Sequence, residues 1–489
     1  MSFIEVEFFY FLPVALLLYW CLPRRASLQN GCLLLGSWLF YAAWNWKLLA
    51  LLIAGGIIDF AITCYLDREK TGGATARRRA ALGASLAWNL GALGFFKYEA
   101  FFAESFNALT SRIGMELSAP VLHVLLPLGI SFYTLQRVGY VVDVYLGRTR
   151  ASRSLLEVLL FAGYFPQLTA GPIARGAELL PQLGQARRLR PDAIATGAAE
   201  MLMGFALKVW AADSIGLALV DPVFAQPGHY GTAAHWAGLL GYTAQVFGDF
   251  AGYSLIAIGC SRLFGIELPM NFDFPFLSRS LPELWRRWHI TLNRWLFDYI
   301  YTLLATGRSW FRGRLDMCLL VVFLASGLWH GAAVTFLLWG LLHGIGMIVH
   351  RRWDERYKQW CRQDRRFVVF RRSAGYALLA WITTQAFFVF SMLPFRAPSL
   401  TAAVDYAGAL LHSTGAGWPA VGGLPMAYAV CGMLFVVGYH LLQLGRLRTV
   451  QSWWQAWPSP VKGFAFGLAI AALMLVAPVG SSTFIYRQF

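Results

Sequence analysis

Two histidines could carry chemistry, because each lies in a strongly apolar part of the sequence. His330 lies in SGLWHGAAVTFLLWGLLHG (326–344), and His289 lies in LSRSLPELWRRWHITLNRWLFDYIY (277–301). Imidazole titrates closest to neutral pH, and an apolar environment favours its neutral form, which can accept a proton from a reacting hydroxyl. We therefore consider both as catalytic groups, although hydrogen bonding between helices is the commoner role of a single membrane histidine.

The residues around His289 predict a helix with a polar side. Ser280 and Glu283 have the spacing of a capping box, so the helix is expected to begin at Leu281. Along a continuous helix, His289 and Asn293 are four residues apart and project to the same side. Together they could hold a polar group of a substrate.

The same segment carries basic and aromatic residues that membrane anchoring would also explain. Arg287 and Arg294 are seven residues apart and share one face, and an aromatic-rich face is formed by Trp285, Trp288, Leu292, Trp295 and Tyr299. Tryptophan favours the membrane interface and arginine can extend toward water, so an interfacial helix is the structural alternative. As candidate substrate contacts we single out Arg287 and Trp288, together with Trp329 beside His330.

Asp249 and Tyr253 are a second pair of polar residues in an apolar stretch. They are four residues apart in DFAGYS (249–254), and because both are costly in lipid we expect them to face a cavity. They are candidate substrate contacts. A structural hydrogen-bond network explains them as well, and it is the interpretation we favour.

Small residues and a third histidine surround His330. Gly327 and Gly331 allow a ligand or a neighbouring helix to approach the backbone closely. His343 follows thirteen residues later, which would place it about 20 Å further along a continuous helix. We therefore expect His343 to have a structural role outside the site.

The composition identifies the elements that must position these residues as membrane helices. Of the 489 residues, 58% are hydrophobic and 13% are charged, whereas soluble domains carry about 25% charged residues. We therefore predict one all-α, polytopic membrane domain over residues 1–489. The net charge of +16 lies in short loops between apolar stretches, which suits membrane topology and anionic lipid better than nucleic acid.

Stretches of about 20 apolar residues predict transmembrane helices. The predicted spans cover residues 4–22, 30–45, 47–66, 80–98, 122–143, 374–394, 425–444 and 461–480. Between 154 and 350, Pro, Gly and polar residues interrupt the apolar sequence, so we expect shorter, tilted or re-entrant helices there, including a re-entrant segment at 164–183. Residues 351–372 are interpreted as an amphipathic helix on the inner leaflet, with binding of an anionic cofactor as the alternative.

The basic loops predict the orientation of the chain. Lys and Arg are enriched in cytoplasmic loops, and the basic loops of this sequence are Arg24–Arg25, 68–79, 148–153, 351–372 and Arg446–Arg448. Threading the spans places these loops on one side and both termini on the outer side, which is periplasmic in a bacterium.

Several classes of site are unsupported by the sequence. It contains no GxxxxGK[ST], GxSxG or HExxH motif. The seven cysteines are scattered, without a CxxC pair, so neither a disulfide framework nor a zinc site is predicted. We predict no metal and no permanently bound cofactor.

The ordered motifs resemble those of the membrane-bound O-acyltransferase (MBOAT) family, in particular its bacterial alginate O-acetylation branch. The matching segments are FFKYEAFF (95–102), LPLGISFYTLQRVGYVVDVYLG (126–147), GPIAR (171–175), DFAGYS (249–254), NF (271–272), ELWRRWHITL (283–292), GLWHG (327–331) and FIYRQF (484–489). They cover nearly the whole chain, and the combination of GLWHG with the WRRWH block is the most specific feature.

The resemblance implies a fold, an activity and roles for the two histidines. It implies about 10–12 transmembrane helices with additional re-entrant and interfacial helices, in which peripheral spans (1–120) precede a catalytic core (121–350) and C-terminal spans (374–489). His330 would be the active-site histidine of the family, and His289 would line the same tunnel. The implied reaction moves an acetyl group from a cytoplasmic donor, acetyl-CoA, to an exopolysaccharide of the alginate or cellulose type.

The resemblance also implies partners and a location. The chain would work in the bacterial inner membrane within an exopolysaccharide biosynthesis complex, and a periplasmic SGNH-type acetyltransferase would complete the transfer. A transporter of an acyl or lipid-linked intermediate is the alternative function. The sequence lacks the paired interrupted segments that inverted transporter repeats would produce.

Overall fold

The computed structural model describes residues 1–69, 75–115, 117–122, 124–307, 310–413, 415, 417–419, 422–442 and 456–476. The basic loop Arg446–Arg448 and the segment FIYRQF therefore lie outside the described residues. The chain divides into two compact units, which we call the first unit (1–201 and 254–269) and the second unit (202–253 and 270–489). The single domain predicted for residues 1–489 stays a prediction.

The first unit is built from helices that account for most of the predicted N-terminal spans. They are Val6–Cys21, Ala26–Arg68, Ala76–Leu93, Glu99–Arg112, Ile130–Tyr145, Leu155–Gly163, Phe165–Leu168, Gly176–Leu183 and the first part of Pro191–Phe205. A π-helical turn, Gly94–Tyr98, joins the third and fourth of these. Several helices begin at capped residues; for example, the Ser154 side chain accepts a hydrogen bond from the backbone N–H of Glu157.

Two of the predicted spans in this unit meet at a kink. Spans 30–45 and 47–66 join at Asn45, where the backbone is extended (φ −160°, ψ 108°) inside Ala26–Arg68. The Asn45 side-chain oxygen accepts hydrogen bonds from the N–H groups of Lys47 (2.9 Å) and Leu48 (3.2 Å), which caps the second helix.

The predicted span 122–143 is wrong in its first part. The helix begins only at Ile130, directly after Gly129, whose φ of +70° is a conformation that favours glycine. A side chain at Gly129 would also meet the carbonyl oxygen of Leu168. Residues 124–129 are therefore apolar without being helical, and hydropathy alone does not distinguish such a stretch from part of a span. The expectation for 164–183 agrees better, since two short helices, Phe165–Leu168 and Gly176–Leu183, are separated by extended backbone.

The second unit contains both candidate catalytic histidines. Its described helices are Asp213–Ile215, Asp221–Ala225, Thr232–Leu263 up to Tyr253, Leu281–Arg287, Ile290–Leu296, Thr302–Thr306, Leu315–His330, Val334–Gln363, Arg365–Arg371, Ala374–Arg396, Leu400–Leu411, Gly423–Leu441 and Ser459–Val476. π-Helical turns occupy Ala206–Ala212, Gly216–Val220 and Phe297–Tyr301, and single 3₁₀ turns occupy Pro227–His229 and Pro275–Leu277.

Two expectations for this part of the chain are wrong, and the helix expected at 351–372 is present in two pieces. The middle of the chain includes two long helical runs, Pro191–Ala225 and Thr232–Leu263, rather than only short helices. Residues 351–363 are the last turns of Val334–Gln363, and only Arg365–Arg371 forms a separate helix after the break at Asp364. The helix that begins at Leu281 stops at Arg287 instead of continuing to residue 301.

The predicted all-α, multi-pass membrane architecture is confirmed for the described residues. Five helices are long and apolar enough to span a bilayer: Ala26–Arg68, Pro191–Ala225, Val334–Gln363, Ala374–Arg396 and Gly423–Leu441. Four shorter apolar helices are Val6–Cys21, Leu315–His330, Leu400–Leu411 and Pro460–Leu475. The number of 10–12 transmembrane helices stays a prediction.

Candidate active site

His289 lies in a break between two helices rather than on the side of one. The first helix begins as predicted, because the Ser280 hydroxyl accepts a hydrogen bond from the N–H of Glu283 (3.3 Å). After Arg287 the backbone becomes extended at Trp288 and left-handed at His289 (φ 43°), and the next helix begins at Ile290. A left-handed conformation is unusual for a residue other than glycine, so neighbouring groups must stabilise it.

Asn293 provides much of that stabilisation. Its side-chain amide nitrogen donates to the carbonyl oxygens of Trp285 (2.9 Å), Trp288 (2.5 Å) and His289 (3.2 Å). These carbonyls end the first helix and lead into the second, where regular helical hydrogen bonds are interrupted. The prediction that His289 and Asn293 share one helical face is therefore wrong. The Asn293 amide binds backbone at the break, and its predicted contact with substrate stays a prediction.

Asn271 fixes the start of the second helix. Its carbonyl oxygen accepts from the N–H of Ile290 (2.9 Å), and its side-chain oxygen accepts from the N–H (3.3 Å) and hydroxyl (3.0 Å) of Thr291. Asn271 and Thr291 are both buried. Sequence reasoning noted Asn271 only as part of a family-like dipeptide, since nothing local indicated which backbone it would bind.

The His289 ring is enclosed by aromatic side chains. It is buried, with Phe250 edge-on at 4.5 Å and Trp329 at 5.5 Å between ring centroids. Residue 289 lies outside the candidate membrane spans, and burial lowers the pKa of its imidazole to about 3. The ring is therefore neutral at physiological pH, as the apolar sequence indicated.

His330 is the last residue of the helix Leu315–His330, and Gly331 follows with extended backbone. Its ring is also buried among aromatic side chains, with centroid distances of 5.0 Å to Trp329, 5.0 Å to Trp339 and 5.1 Å to Phe395. Gly331 leaves room for Phe336, which a side chain at position 331 would meet. The chain therefore turns directly after the histidine.

Trp329 brings the two histidines into one site. Its ring contacts both His330 (5.0 Å) and His289 (5.5 Å), although these residues come from different helices. The structure thus places the two predicted catalytic residues and Trp329 together. Their catalytic and binding roles stay predictions.

The glycines next to His330 allow two helices to pack closely. A side chain at Gly327 would meet the carbonyl oxygen of Phe336, and one at Gly340 would meet the carbonyl oxygen of Phe323. The helices Leu315–His330 and Val334–Gln363 are therefore antiparallel neighbours joined by a turn at 331–333. The expected close approach of a neighbouring helix at Gly327 is confirmed.

His343 lies much nearer to His330 than a continuous helix would allow. Because the chain folds back at 331–333, the rings of His343 (4.7 Å) and His330 (5.0 Å) both contact Trp339. The separation of about 20 Å along one helix is therefore wrong. A structural role agrees with its hydrogen bonding, since His343 Nε2 lies 3.0 Å from the Ser391 hydroxyl, which itself donates to the carbonyl oxygen of Phe388 (2.6 Å).

Three nitrogen atoms near the histidines have spare hydrogen-bonding capacity. Because Ser391 donates its only proton to backbone, it accepts from His343 Nε2–H, which leaves Nδ1 of His343 as an acceptor. Within the part of the chain that the structure describes, that Nδ1 and the indole N–H groups of Trp285 and Trp339 form no hydrogen bond. All three residues are buried. The site thus contains donors and an acceptor that a ligand could use.

Asp249 belongs to a buried ion cluster whose other members, Lys208 and Asp213, were not identified from the sequence. The ammonium group of Lys208 lies 2.6 Å from Asp249 and 2.7 Å from Asp213, and all three side chains are buried. Lys208 and Asp213 were recognisable as charged residues in the apolar segment LKVWAAD (207–213), but only tertiary structure pairs them with Asp249. Tyr253 is fully buried on the same helix. The structural interpretation of Asp249 agrees with these contacts, and its contact with substrate stays a prediction.

Arg287 and Trp288 have partners away from the histidines. Arg287 lies 3.0 Å from Glu283 and 3.9 Å from Asp273. The Trp288 ring contacts Phe272 (5.2 Å) and Phe388 (5.0 Å). The aromatic face predicted from Trp285 to Tyr299 is buried within the protein, so membrane-interface anchoring does not explain it.

Comparison with known proteins places this site in a family. The model of the membrane-bound O-acyltransferase family, MBOAT, matches residues 147–393, a region that includes Asp249, His289 and His330. An Azotobacter vinelandii protein named "Probable alginate O-acetylase AlgI" is 38% identical over 354 residues, covering 71% of this chain and 68% of that protein.

Two further relatives differ in the polymers that their names specify. A Helicobacter pylori peptidoglycan O-acetyltransferase is 33% identical over 429 residues, covering 81% of this chain and 77% of its own. A Bacillus subtilis teichoic acid D-alanyltransferase is 27% identical over 319 residues, covering 62% of this chain and 79% of its own. All three names describe transfer of an acetyl or D-alanyl group to a named polymer.

Proposed function

The chain belongs to the membrane-bound O-acyltransferase family, and on that premise we propose that it acetylates hydroxyl groups of an extracytoplasmic exopolysaccharide. The chain is an O-acyltransferase; the acetyl group, the polymer and the donor are the proposed parts. The observation that carries the proposal is the pair of buried histidines on Trp329, within the region that the family model matches. Relatives named for alginate and peptidoglycan O-acetylation favour acetyl over other acyl groups, and alginate or cellulose is the proposed type of polymer.

In the proposed reaction, His330 is the general base. The hydroxyl oxygen of the acceptor attacks the carbonyl carbon of acetyl-CoA while its proton moves to a ring nitrogen of His330. The new C–O bond forms and the carbonyl electron pair moves onto oxygen. When the intermediate collapses, the C–S bond breaks and the thiolate of coenzyme A takes the proton from His330. The products are the acetyl ester and free coenzyme A.

The aromatic surroundings of His330 support this role. Burial among Trp329, Trp339 and Phe395 keeps the imidazole away from bulk water. The negatively charged oxygen of the intermediate needs a donor, and the unused indole N–H of Trp339 is our candidate, because its ring contacts His330. We assign His289, which also contacts Trp329, to binding the acceptor hydroxyl or the thioester.

The proposal includes a location and partners. The protein is a multi-pass membrane protein, and we place it in the bacterial inner membrane with both termini periplasmic. Acetyl-CoA is made in the cytoplasm and the polymer lies outside, so a site inside the membrane domain would remove the need to move coenzyme A. A periplasmic SGNH-type acetyltransferase within an exopolysaccharide complex would complete transfer to the polymer.

Reconstitution tests the proposal directly. Purified protein in proteoliposomes receives acetyl-CoA labelled in the acetyl group, and the label is followed into an oligosaccharide acceptor with and without the periplasmic partner. We expect ester-linked label with the wild type and none above background with His330→Ala. Wild-type labelling by His330→Ala would refute the role of His330. Flux of an acyl or lipid-linked intermediate across the membrane without acyl transfer would support the transporter alternative instead.

A further inference from the structure

A large cavity lies beside the histidine site in the second unit. Its volume is about 930 Å³, and its lining includes Trp285 and Asn293. Trp285 contacts Trp339 (5.7 Å between ring centroids), which contacts His330, and Asn293 donates to the carbonyl oxygen of His289. Asn293 of the cavity wall therefore contacts His289 directly, and Trp285 of the wall is separated from His330 by the single side chain of Trp339.

Two arginines on this wall have no anionic partner. Arg286 and Arg294 line the cavity and are exposed. Neither forms an ion pair or a side-chain hydrogen bond with any residue for which the structure gives a position. An arginine presents several N–H donors in a planar arrangement that matches phosphate oxygens, so an unpaired pair of arginines favours an anion with more than one oxygen.

Two of the three acidic residues in the same lining, Asp354 and Glu355, are paired with other cations. Asp354 lies 2.7 Å from Lys358 and 2.6 Å from Arg371, and Glu355 lies 2.7 Å from Arg351. These carboxylates thus have cationic partners of their own. The third acidic residue, Asp298, forms no ion pair with Arg286 or Arg294, so among the described residues these two arginines are the unpaired arginines of the lining.

The helix break explains why these two arginines, and not the pair expected from sequence, face the cavity. On a continuous helix, Arg287 and Arg294 would share a face. The break at Trp288–His289 changes the register, so that Arg286 joins Arg294 at the cavity while Arg287 pairs with Glu283. The break that contains His289 therefore also brings Arg286 and Arg294 to the same cavity.

We infer that Arg286 and Arg294 bind the phosphate groups of the acyl donor, a phosphate-bearing pantetheine thioester of the coenzyme A type. The inference rests on the proposed function and names the place where its donor binds. The cavity volume lies within the range of about 300–1,000 Å³ that is usual for small-molecule sites. With its phosphates on the two arginines, the pantetheine arm would extend along the wall of Trp285 and Asn293 toward the histidines.

Binding measurements on the purified full chain in nanodiscs test the inference without turnover. The probes are coenzyme A, 4′-phosphopantetheine and pantetheine, and the variants are Arg286→Gln, Arg294→Gln and the double variant. We expect each single substitution to weaken coenzyme A binding about tenfold, which corresponds to about 1.4 kcal/mol, because it removes a charge-assisted hydrogen bond to phosphate. Pantetheine, which lacks phosphate, should bind weakly to all forms and be unaffected by the substitutions.

Arg279→Gln is the matched control. Arg279 is exposed and precedes the same helix but does not line the cavity, so coenzyme A should bind to this variant as to the wild type. Equal coenzyme A affinity in the double variant and the wild type would overturn the inference, as would an equal loss in Arg279→Gln. A further outcome is that 4′-phosphopantetheine binds as tightly as coenzyme A and loses the same affinity in the arginine variants. That result would support the phosphate contact and would indicate a phosphopantetheine arm, as on a carrier protein, as the natural donor.

The same measurement separates failure of this inference from failure of the proposed function. His330→Ala should bind coenzyme A normally, because it leaves the arginines intact. Arginine-dependent binding without any acetyl transfer by the wild type would refute the proposed function alone. Acetyl transfer with an unchanged KM for acetyl-CoA in the double variant would refute the phosphate site alone.

Discussion

Two buried polar centres of the second unit are built in opposite ways. The histidine site consists of imidazole rings in contact with aromatic rings, and the indole N–H groups of Trp285 and Trp339 form no hydrogen bond with described residues. The ion cluster consists of full charges, with Lys208 bonded to Asp213 and Asp249 at 2.7 and 2.6 Å. The two centres are adjacent, because Phe250, which contacts His289, follows Asp249 in the chain.

This difference in charge and hydrogen bonding distinguishes residues that could react from residues that stabilise the fold. Breaking a buried ion pair leaves a charge without compensation, so such a cluster resists movement and fixes the elements that carry it. A neutral imidazole with unused donors nearby can accept a proton or bind a ligand without first breaking an ion pair. Substitutions in the histidine site should therefore change activity, and substitutions in the ion cluster should change stability.

The largest expected effect is on activity, from His330→Gln. Glutamine keeps a similar volume but does not act as a base, so we expect kcat to fall by about 10²–10⁴-fold. Thermal unfolding of the purified protein should occur at the wild-type temperature. A large loss of stability with unchanged kcat would show that His330 is a structural residue, and the histidine site would then not differ in role from the ion cluster.

Lys208→Met should produce the largest loss of stability. It leaves the buried carboxylates of Asp213 and Asp249 without their cation, and breaking a buried pair typically costs about 3–5 kcal/mol. Denaturant unfolding in detergent measures the change. Adding Asp213→Asn and Asp249→Asn to the same protein should recover much of the loss, since no charge then remains buried. A single variant as stable as the wild type would contradict the structural role of the cluster.

A substitution of Asn293 should change both stability and activity, because its amide donates a hydrogen bond to the backbone of the candidate catalytic residue His289. Asn293→Asp keeps the shape but replaces the donor with an acceptor, which faces three carbonyl oxygens. We expect a loss of about 1–3 kcal/mol in unfolding free energy together with a lower kcat. Asn293→Gln, which retains an amide donor, should lose less. Full stability and activity in Asn293→Asp would show that the break does not depend on this donor.

The smallest expected effect comes from His343→Leu. It removes one hydrogen bond, to Ser391, and should reduce the unfolding free energy by about 1 kcal/mol while kcat stays close to the wild-type value. Ser391→Ala should give a similar change in stability. A loss of activity as large as that of His330→Gln would show that His343 belongs to the reactive site, on the other end of the contact with Trp339. The histidine site would then contain a residue with both a structural and a catalytic role.

Local sequence signals predicted those features that depend on neighbouring residues. Ser280 and Glu283 marked the start of a helix, and the hydrogen bond between them is present. Gly327 predicted close packing of backbone, and the facing group is the carbonyl of Phe336. The polar residue Asp249 predicted a buried network, and its partner is Lys208. In each case the residue type itself has a limited set of stable environments.

Features that depend on distant residues could not be predicted in this way. The break at Trp288–His289 contains neither Gly nor Pro, and it depends on hydrogen bonds from Asn293 and on Asn271, which is far away in sequence. Because of that break, Arg286 rather than Arg287 lines the cavity. The turn after Gly331 was hidden because both flanking helices are apolar, and hydropathy does not distinguish one long span from two packed helices.

The turn at 331–333 has a consequence for biogenesis. The helices Leu315–His330 and Val334–Gln363 contact each other through residues that are close in sequence, so the pair has low contact order and should assemble early. Because so short a connection leaves little chain between them, we expect the two helices to insert as one hairpin. His330 would then reach its aromatic surroundings of Trp329 and Trp339 during synthesis, before the remaining C-terminal helices leave the ribosome.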